Sequence, residues 1–177
     1  MKAKILISIC LFVGCVCCQS SVTAQEPRPD KVYEAAQLDS LFFEFFKMDG
    51  RDINYPEKNI LQKFQSQFSG ASDIEWETRN NLYSVDFEIG KVDYMALYDQ
   101  QANLLLYKFD IPRSAIPAAV KKAYAPQYGG IFWRIEDAEK IVTAHGIMYK
   151  IEFEKGEQET EVYYNADGTV VKNYIHY

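Results

Sequence analysis

Apolar and polar side chains alternate in two stretches of the chain, one in each half. Residues 83–87 and residues 149–153 each carry an apolar side chain at every second position, with Ser, Asp, Lys or Glu between them. This period predicts β-strands that bury one face and expose the other, as antiparallel sheets do. The two stretches correspond, because Tyr149 follows Tyr83 and Gly156 follows Gly90 by the same 66 positions.

A helical pattern precedes each alternating stretch, since apolar residues there recur every four positions. The two sets are Ile60, Phe64 and Phe68, and then Ile116, Val120 and Tyr124, each 56 positions further on. Pro56 and Pro117 stand near the start of these segments, where a missing N–H costs little. Gly70 ends the first predicted helix, and Pro126 together with Gly129 ends the second.

Turn-forming residues divide the rest of each half into four strands. The predicted turns are Asn80-Asn81, Ile89-Gly90-Lys91 and Gln101-Ala102-Asn103 in the first half, and His145-Gly146, Lys155-Gly156 and Asp167-Gly168 in the second. Asn103 thereby takes the place of Gly168, 65 positions earlier. The repeated unit is therefore one helix followed by four antiparallel strands.

The two copies differ in length near their first strand. Seven positions separate Trp76 from Tyr83, whereas 16 separate Trp133 from Tyr149. The second copy thus has nine extra residues around Glu136 to Thr143, and we expect them to lengthen its first hairpin.

A further helix is predicted from Lys31 to Met48, ahead of both units. This stretch contains neither Pro nor Gly, and Leu41, Phe42, Phe43, Phe45 and Phe46 crowd its second half. So many apolar residues cannot all lie on one side of a solvated helix. The helix is therefore expected to be covered on more than one side, either in the core or by a partner.

The N-terminus has the layout of a secretory signal peptide. Lys2 and Lys4 precede an apolar run at residues 5–16 that is too short to span a bilayer, and small residues lead to Ala24. We expect cleavage after Ala24 and export to the periplasm or the medium. The remaining chain would have 17 basic and 25 acidic residues, a formal charge of −8. Such a charge argues against nucleic acid and anionic membranes as partners.

The cysteines bear on both redox chemistry and anchoring. All four, Cys10, Cys15, Cys17 and Cys18, precede the expected cleavage site. The mature chain would then have no disulfide, metal–thiolate site or cysteine nucleophile. The alternative is a lipid anchor at Cys15, because residues 12–15 loosely resemble the box at which bacterial lipoproteins are cut and acylated.

Catalytic residues are not evident in the sequence. His145 lies in a predicted turn and His176 is the penultimate residue, so neither is placed as a base or a metal ligand. Motifs for phosphate binding, a nucleophile elbow or metal binding are missing, and a carboxylate-based hydrolase would need two convergent acids. We therefore expect a protein that is not an enzyme, with no catalytic residue, bound metal or cofactor.

Acidic residues crowd two neighbouring predicted strands. They are Glu152, Glu154, Glu157, Glu159 and Glu161. The last three would share one strand face, and the first two would lie opposite them, where like charges repel. A cationic partner or Ca²⁺ would relieve that repulsion, whereas a solvated face that resists aggregation needs no ligand.

Tyrosines are predicted on the same solvated face. If Leu97 and Val162 point inward, Tyr98 and Tyr163 point outward at equivalent positions, and Tyr94 lies on the side of Tyr98. Tyrosine among polar groups is typical of protein-recognition surfaces, although cross-strand pairing also explains it. The predicted partner-binding residues are Tyr94, Tyr98, Tyr163, Glu152, Glu154, Glu159 and Glu161.

Together these motifs resemble the tandem beta-lactamase-inhibitor-like, or PepSY-like, proteins exported by Bacteroidetes. The shared pattern is a helix led by Pro, a Trp in the first strand, Tyr-x-Val/Ile-x-Phe, a Gly turn, an apolar residue before Tyr and an Asn or Asp-Gly turn, twice over. The resemblance covers residues 56–177. It implies an α+β fold in which two α-β4 units form one eight-stranded antiparallel sheet, with helices on one face and a curved open face.

The resemblance also divides the chain and suggests a function. It implies a leader with an extra helix at residues 25–50 and units at residues 51–111 and 112–177. In the inhibitor that gives the group its name, the open face clamps a protein; its inhibitory residues are not matched here, so that activity is not carried over. We expect a non-enzymatic exported protein that binds a protein or peptide through its open face. The alternative is binding of a small molecule or Ca²⁺ by the acidic strands.

Overall fold

The structure, a computed structural model, describes residues 26–30, 55–79 and 81–176, with side chains as far as residue 171. The predicted signal peptide, the four cysteines and the predicted helix from Lys31 to Met48 lie outside the described residues.

One helix and four strands follow each other twice. Helix α1 (Lys58–Gln67) precedes strands β1 (Ala71–Arg79), β2 (Leu82–Ile89), β3 (Val92–Asp99) and β4 (Leu104–Asp110). A 3-10 turn at Arg113–Ala115 leads to helix α2 (Ala118–Tyr128) and strands β5 (Arg134–Thr143), β6 (Gly146–Lys155), β7 (Gln158–Asn165) and β8 (Val170–His176). This order agrees with the predicted α-β4 arrangement.

All eight strands form one antiparallel sheet in sequence order, β1 to β8. Successive strands pair, and β4 joins the two halves through β5 from Leu106↔Thr143 to Asp110↔Glu139. The predicted fold class is confirmed. Each hairpin is short because its turn contains residues that adopt positive φ, such as Gly90 at 71° and Gly156 at 64°.

Both helices pack on the same face of the sheet, here called the helix face. Ile60, Phe64 and Phe68 are at most 4% exposed, and both phenylalanine rings contact Phe87 of β2. In the second half, Val120 is fully buried, and Tyr124 and Tyr128 contact Phe153 of β6. The apolar stripes predicted for the helices therefore form the core.

The contacts of the helices correct the predicted spacing between them. Phe64 and Phe68 contact Phe87 as Tyr124 and Tyr128 contact Phe153, so equivalent helix positions are 60 apart. The predicted spacing of 56 between equivalent helix positions was therefore wrong by four residues, about one helical turn. Apolar residues that recur every four positions align equally well after a shift of four, so the sequence did not distinguish the two alignments. Helix α2 also continues past Pro126 to Tyr128.

The first hairpin of the second half is longer than its counterpart, though by less than predicted. Trp76 pairs with Val85, nine positions on, and Ala138 pairs with Ile151, thirteen positions on. The hairpin therefore gains four residues rather than nine. The difference arises because Trp133 precedes β5, whereas Trp76 lies within β1.

Candidate functional site

The face of the sheet opposite the helices, here called the open face, is defined by strand register. Val85 lies on the helix face, and residues paired across strands share a face. Ala96 and Tyr107, which follow Val85 in register across β3 and β4, therefore also lie on the helix face. Their neighbours along each strand, such as Leu97 and Leu106, belong to the open face.

Tyr98 lies on the helix face, so its predicted place on the open face was wrong. Its side chain is 0% exposed and its ring centroid lies 6.3 Å from that of Trp76. The Tyr98 hydroxyl donates a hydrogen bond of 3.0 Å to Oε1 of Gln67. Burial, followed by the charge of Asp30, raises the pKa of Tyr98 far above its ordinary value. Tyr98 is therefore a core residue.

Tyr94 was also assigned to the wrong face. Its ring stacks on Phe87 at 5.4 Å and on Phe109 at 4.9 Å, both on the helix face. Burial, followed by the charge of Glu26, raises the pKa of Tyr94. Neither tyrosine can form part of a site on the open face without a change of fold.

A slip of one residue explains both errors. Tyr98 pairs with Tyr83, and Tyr164 pairs with Tyr149, so Tyr98 corresponds to Tyr164 at the same spacing of 66. The prediction matched Tyr98 with Tyr163 instead. A shift of one position along a strand moves a side chain to the other face.

The turn after β3 shows why the slip occurred. Ala102 has φ 62° and donates its N–H to the carbonyl of Asp99, as Gly168 with φ 89° donates to Asn165. Ala102 is therefore the counterpart of Gly168, and the predicted pairing of Gly168 with Asn103 was wrong. An alanine at positive φ is unusual, so the sequence predicted the turn but not that Ala102, rather than Asn103, matches Gly168.

Tyr163 does lie on the open face, but it is only 6% exposed. It belongs to a cluster of apolar side chains at the end of the face near the turn that contains Ala102. We call this cluster the apolar patch; its members are Leu82, Met95, Leu97, Leu105, Leu106, Ile141, Met148 and Tyr163. The sequence analysis expected a solvated face here and missed the patch.

Carboxylates gather at the opposite end of the open face. We call them the acidic band: Asp110, Asp137, Glu139, Glu152, Glu154, Glu159 and Glu161. The predicted cross-strand pairing is confirmed, since Glu152 pairs with Glu161 and Glu154 with Glu159. Glu157, which was expected on the same strand face, lies in the turn between β6 and β7. Whether any of these residues binds a partner stays a prediction.

Among the side chains that the structure describes, lysine and arginine compensate part of this charge. Lys150 lies 2.9 Å from Glu161 and 3.7 Å from Glu152, and Arg134 forms an ion pair with Glu154. Burial opposes the charge on Lys150, but Glu139, Glu161 and Glu152 outweigh it and raise the pKa of this lysine. With Lys108, three cations of the described residues thus accompany the seven carboxylates of the band.

Glu152 is a member of the band whose pKa is raised by its surroundings. Its side chain is 22% exposed. Burial first, and then the charges of Glu161, Glu159 and Asp137, raise the pKa of Glu152, although Lys150 acts in the opposite direction. The folded protein therefore holds this carboxylate in a form that its surroundings disfavour.

Three carboxylates of the band also converge on one point between β4 and β5. One oxygen each of Asp110, Asp137 and Glu139 lies within 4.8 Å of the others. Lys108 donates to Oε1 of Glu139 at 2.6 Å, whereas the buried Oε2 of Glu139 has no hydrogen-bond partner among the described residues. Burial, followed by the charges of Asp137, Glu139 and Asp93, raises the pKa of Asp110. The sequence analysis missed this group, because its members come from strands that no short turn connects.

His145 lies away from these groups, whereas the backbone of His176 pairs with Glu159 of the acidic band across β7 and β8. His145 is at the tip of the β5–β6 hairpin, where its backbone N–H donates to Oγ1 of Thr143 at 3.1 Å. A cleft of about 500 Å³ between residues 26–29 and this hairpin is lined in part by Tyr107 and His145. The side chain of His176 lies outside the described residues.

Comparisons with known proteins give a fold and no more. Known protein-family models and curated proteins do not match the chain. A crystal structure of a candidate periplasmic protein from Bacteroides eggerthii matches with a TM-score of 0.64 and 16% identity, over 69% of this chain and 90% of that one. Among the described residues, neither helix is long and apolar enough to cross a membrane.

Two further crystal structures share the same arrangement. A BLIP-like protein from Bacteroides fragilis matches with a TM-score of 0.60 and 18% identity, over 69% of this chain and 87% of that one. A DUF2874 family protein from Bacteroides ovatus matches with a TM-score of 0.62 and 12% identity, over 69% of this chain and 89% of that one. At the level of the fold, the chain is therefore similar to BLIP-like proteins of Bacteroides, as its sequence motifs indicated.

Proposed function

We propose that this protein is an exported, non-enzymatic binding protein whose acidic band engages a basic segment of a protein or peptide. The observation that carries the proposal is the accumulation of seven carboxylates at one end of the open face, with cross-strand pairs of like charge. Export is supported by the signal-like N-terminus and by the fold shared with a candidate periplasmic protein.

Repulsion within the band is the first argument for a cationic partner. Like charges directly opposite each other on neighbouring strands destabilise a sheet by roughly 0.2–1 kcal/mol per pair. The pairs Glu152–Glu161 and Glu154–Glu159 both have this arrangement. A lysine or arginine from a partner would reduce the repulsion that destabilises the free protein, and this relief would favour binding.

Accessibility is the second argument. The side chains of Glu154 and Glu161 keep 22% and 26% of their surface exposed, and Glu159 is an exposed residue. These carboxylates are thus partly desolvated but still reachable. Arginine suits such a surface best, because its planar guanidinium can hydrogen-bond two carboxylate oxygens at once.

A divalent cation is the second candidate ligand. The specific observation is the group of Asp110, Asp137 and Glu139, where three carboxylate oxygens converge and one buried oxygen has no hydrogen-bond partner in the described part of the chain. Ca²⁺ prefers carboxylate oxygens. We expect 1 mM Ca²⁺ to raise the melting temperature of the wild type and not that of Asp137→Asn; no shift in the wild type would remove this candidate.

Affinity capture with charge-matched variants tests the main proposal. The bait is the full mature chain, residues 25–177, and the source is the envelope fraction of the producing organism. The band variant is Glu154→Gln/Glu159→Gln, and the control variant is Glu26→Gln/Glu57→Gln, which changes the net charge equally but lies on the side of the helices. Circular dichroism checks that both variants fold.

The proposal predicts a protein retained by the wild type and the control but lost with the band variant. The purified partner should bind directly, through a basic segment, and more weakly as the salt concentration rises. Equal retention by both variants would exclude the band as the site. If the wild type retains no protein, or none that binds it directly once purified, the proposed function is wrong.

A further inference from the structure

The apolar patch is buried although the described helices pack on the other face. Leu97 and Ile141 are 0% exposed, Leu106 is 1% exposed and Met95 is 3% exposed. A single sheet cannot bury side chains this completely on both faces, because a second layer must cover each apolar face. On the helix face, α1 and α2 supply that layer. On the open face, none of the described helices does.

The chain itself arrives at this patch just before the residues outside the described part. Asp30 donates its N–H to the carbonyl of Leu104 at 2.8 Å, and its Oδ2 accepts from the N–H of Leu104 at 3.1 Å. Lys63 of α1 forms an ion pair with the same aspartate at 3.1 Å. Asp30 is thus held at the start of β4, next to Leu105 of the patch.

At Leu104, strand β4 is hydrogen-bonded to Asp30 and not to β5. Strand β5 begins to pair with β4 only at Leu106, which pairs with Thr143. Leu104 therefore extends past the end of β5, and the chain after Asp30 can pass from the helix face to the open face there. The chain is described again from Tyr55, so 24 residues, 31–54, connect the two points.

The length of the patch matches the length of the predicted helix in this connection. The patch runs from Leu82 in β2 to Tyr163 in β7, five strand spacings of about 4.8 Å, or about 24 Å. Residues 31–48 would form a helix of about 27 Å at 1.5 Å per residue. Its five apolar residues between positions 41 and 46 require cover on more than one side. The apolar patch is long enough to cover one side of this predicted helix.

We propose that residues 31–48 of the chain occupy the apolar patch and form the second layer of the open face. The sheet then has helices on both faces at the end near Ala102, while the acidic band at the other end stays open to a partner. This inference does not rest on the proposed function, because the patch and the band consist of different residues.

Photo-cross-linking of the full mature chain tests the proposal. The chain after residue 24 has three methionines, Met48, Met95 and Met148, and the last two belong to the patch. Photo-methionine keeps the size of methionine and so preserves packing. In a Met48→Leu background, only the patch carries the probe. Cross-linked peptides are identified by mass spectrometry, and a mixture of ¹⁵N-labelled and unlabelled protein separates links within one chain from links between copies.

We expect links from Met95 or Met148 to peptides within residues 31–48 of the same chain. The matched variant Phe42→Asp/Phe46→Asp should lose these links, because it removes the apolar character of the segment. Links between labelled and unlabelled copies would show that a second copy covers the patch and would overturn the proposal. Links confined to residues of the sheet would overturn it as well.

Discussion

Substitution of Gly168 by alanine gives the sharpest test of how helix α2 and the β7–β8 turn fit together. Gly168 has φ +89°, a conformation that residues with a side chain rarely adopt. An added Cβ would lie 2.6 Å from the carbonyl oxygen of Ala119 in α2 and 3.0 Å from its carbonyl carbon. These are backbone atoms, so relief requires movement of the helix or the turn.

The expected cost follows from three contributions. The left-handed conformation costs alanine about 1–2 kcal/mol, and overlap in a packed region costs about 1–3 kcal/mol. Alanine also lowers the conformational entropy of the unfolded chain, which offsets about 0.4–1 kcal/mol of this cost. We expect Gly168→Ala to lower the free energy of unfolding by about 2–3 kcal/mol, at the centre of these ranges.

Two matched variants separate the strain from the overlap. Gly156 has φ +64° and nothing within 4 Å of an added Cβ, so Gly156→Ala should cost about 1 kcal/mol or less. Ala102 has φ 62° at the position equivalent to Gly168, so Ala102→Gly should leave stability unchanged or raise it slightly. Urea denaturation followed by circular dichroism measures all three. Equal costs for Gly168→Ala and Gly156→Ala would refute the contact between the turn and α2.

Two further predictions concern single side chains. Tyr98→Ala should lower the free energy of unfolding by about 3–5 kcal/mol, the usual cost of truncating a fully buried aromatic residue; a loss below about 1 kcal/mol in urea denaturation would place Tyr98 at the surface instead. Glu152→Gln should stabilise the protein at pH 7, because the folded state raises the pKa of this carboxyl group and so disfavours its ionised form. The stability that protonated Glu152 contributes is lost as the pH rises through its folded pKa, so the gain from Gln should vanish at about pH 3, more than one unit below the ordinary Glu pKa of about 4.3, where the carboxyl group is protonated in both states. A gain that persists at pH 3 would point to a cause other than charge.

The sequence predicted the elements well because their periods are strong. Ile60 and Phe64 recur at a helical spacing, and Val85 and Phe87 alternate with polar residues, so element type and fold class followed directly. Register across the last hairpin of the first half did not follow, because Ala102 occupies a position where glycine is the usual signal. That one position decided whether Tyr98 was assigned to the surface or to the core.

The candidate site was predicted in part for a similar reason. The turn at Gly156 fixes the register of β6 and β7, so Glu152 could be placed opposite Glu161 from alternation alone. Asp110 and Glu139 pair across the strands that join the two halves, and 28 residues separate them in the sequence, so no short turn indicates their contact.

The apolar patch is indicated in the sequence by continuous apolar runs rather than by alternation. Residues 95–98 and 104–107 are apolar without interruption. A continuous apolar run indicates a strand that is covered on both faces, whereas a strand with one solvated face alternates. Read in this way, β3 and β4 predict a second covering layer on the open face.

The most direct test of the central claim is the affinity of the purified partner for the wild type, Glu154→Gln/Glu159→Gln and Glu26→Gln/Glu57→Gln, measured by isothermal titration calorimetry. Partly exposed ion pairs are worth up to about 1 kcal/mol each, so loss of two should weaken binding by about tenfold, and by less at high salt. Binding by the control variant should equal that of the wild type. If both double variants bind as tightly as the wild type, the acidic band is not the binding site.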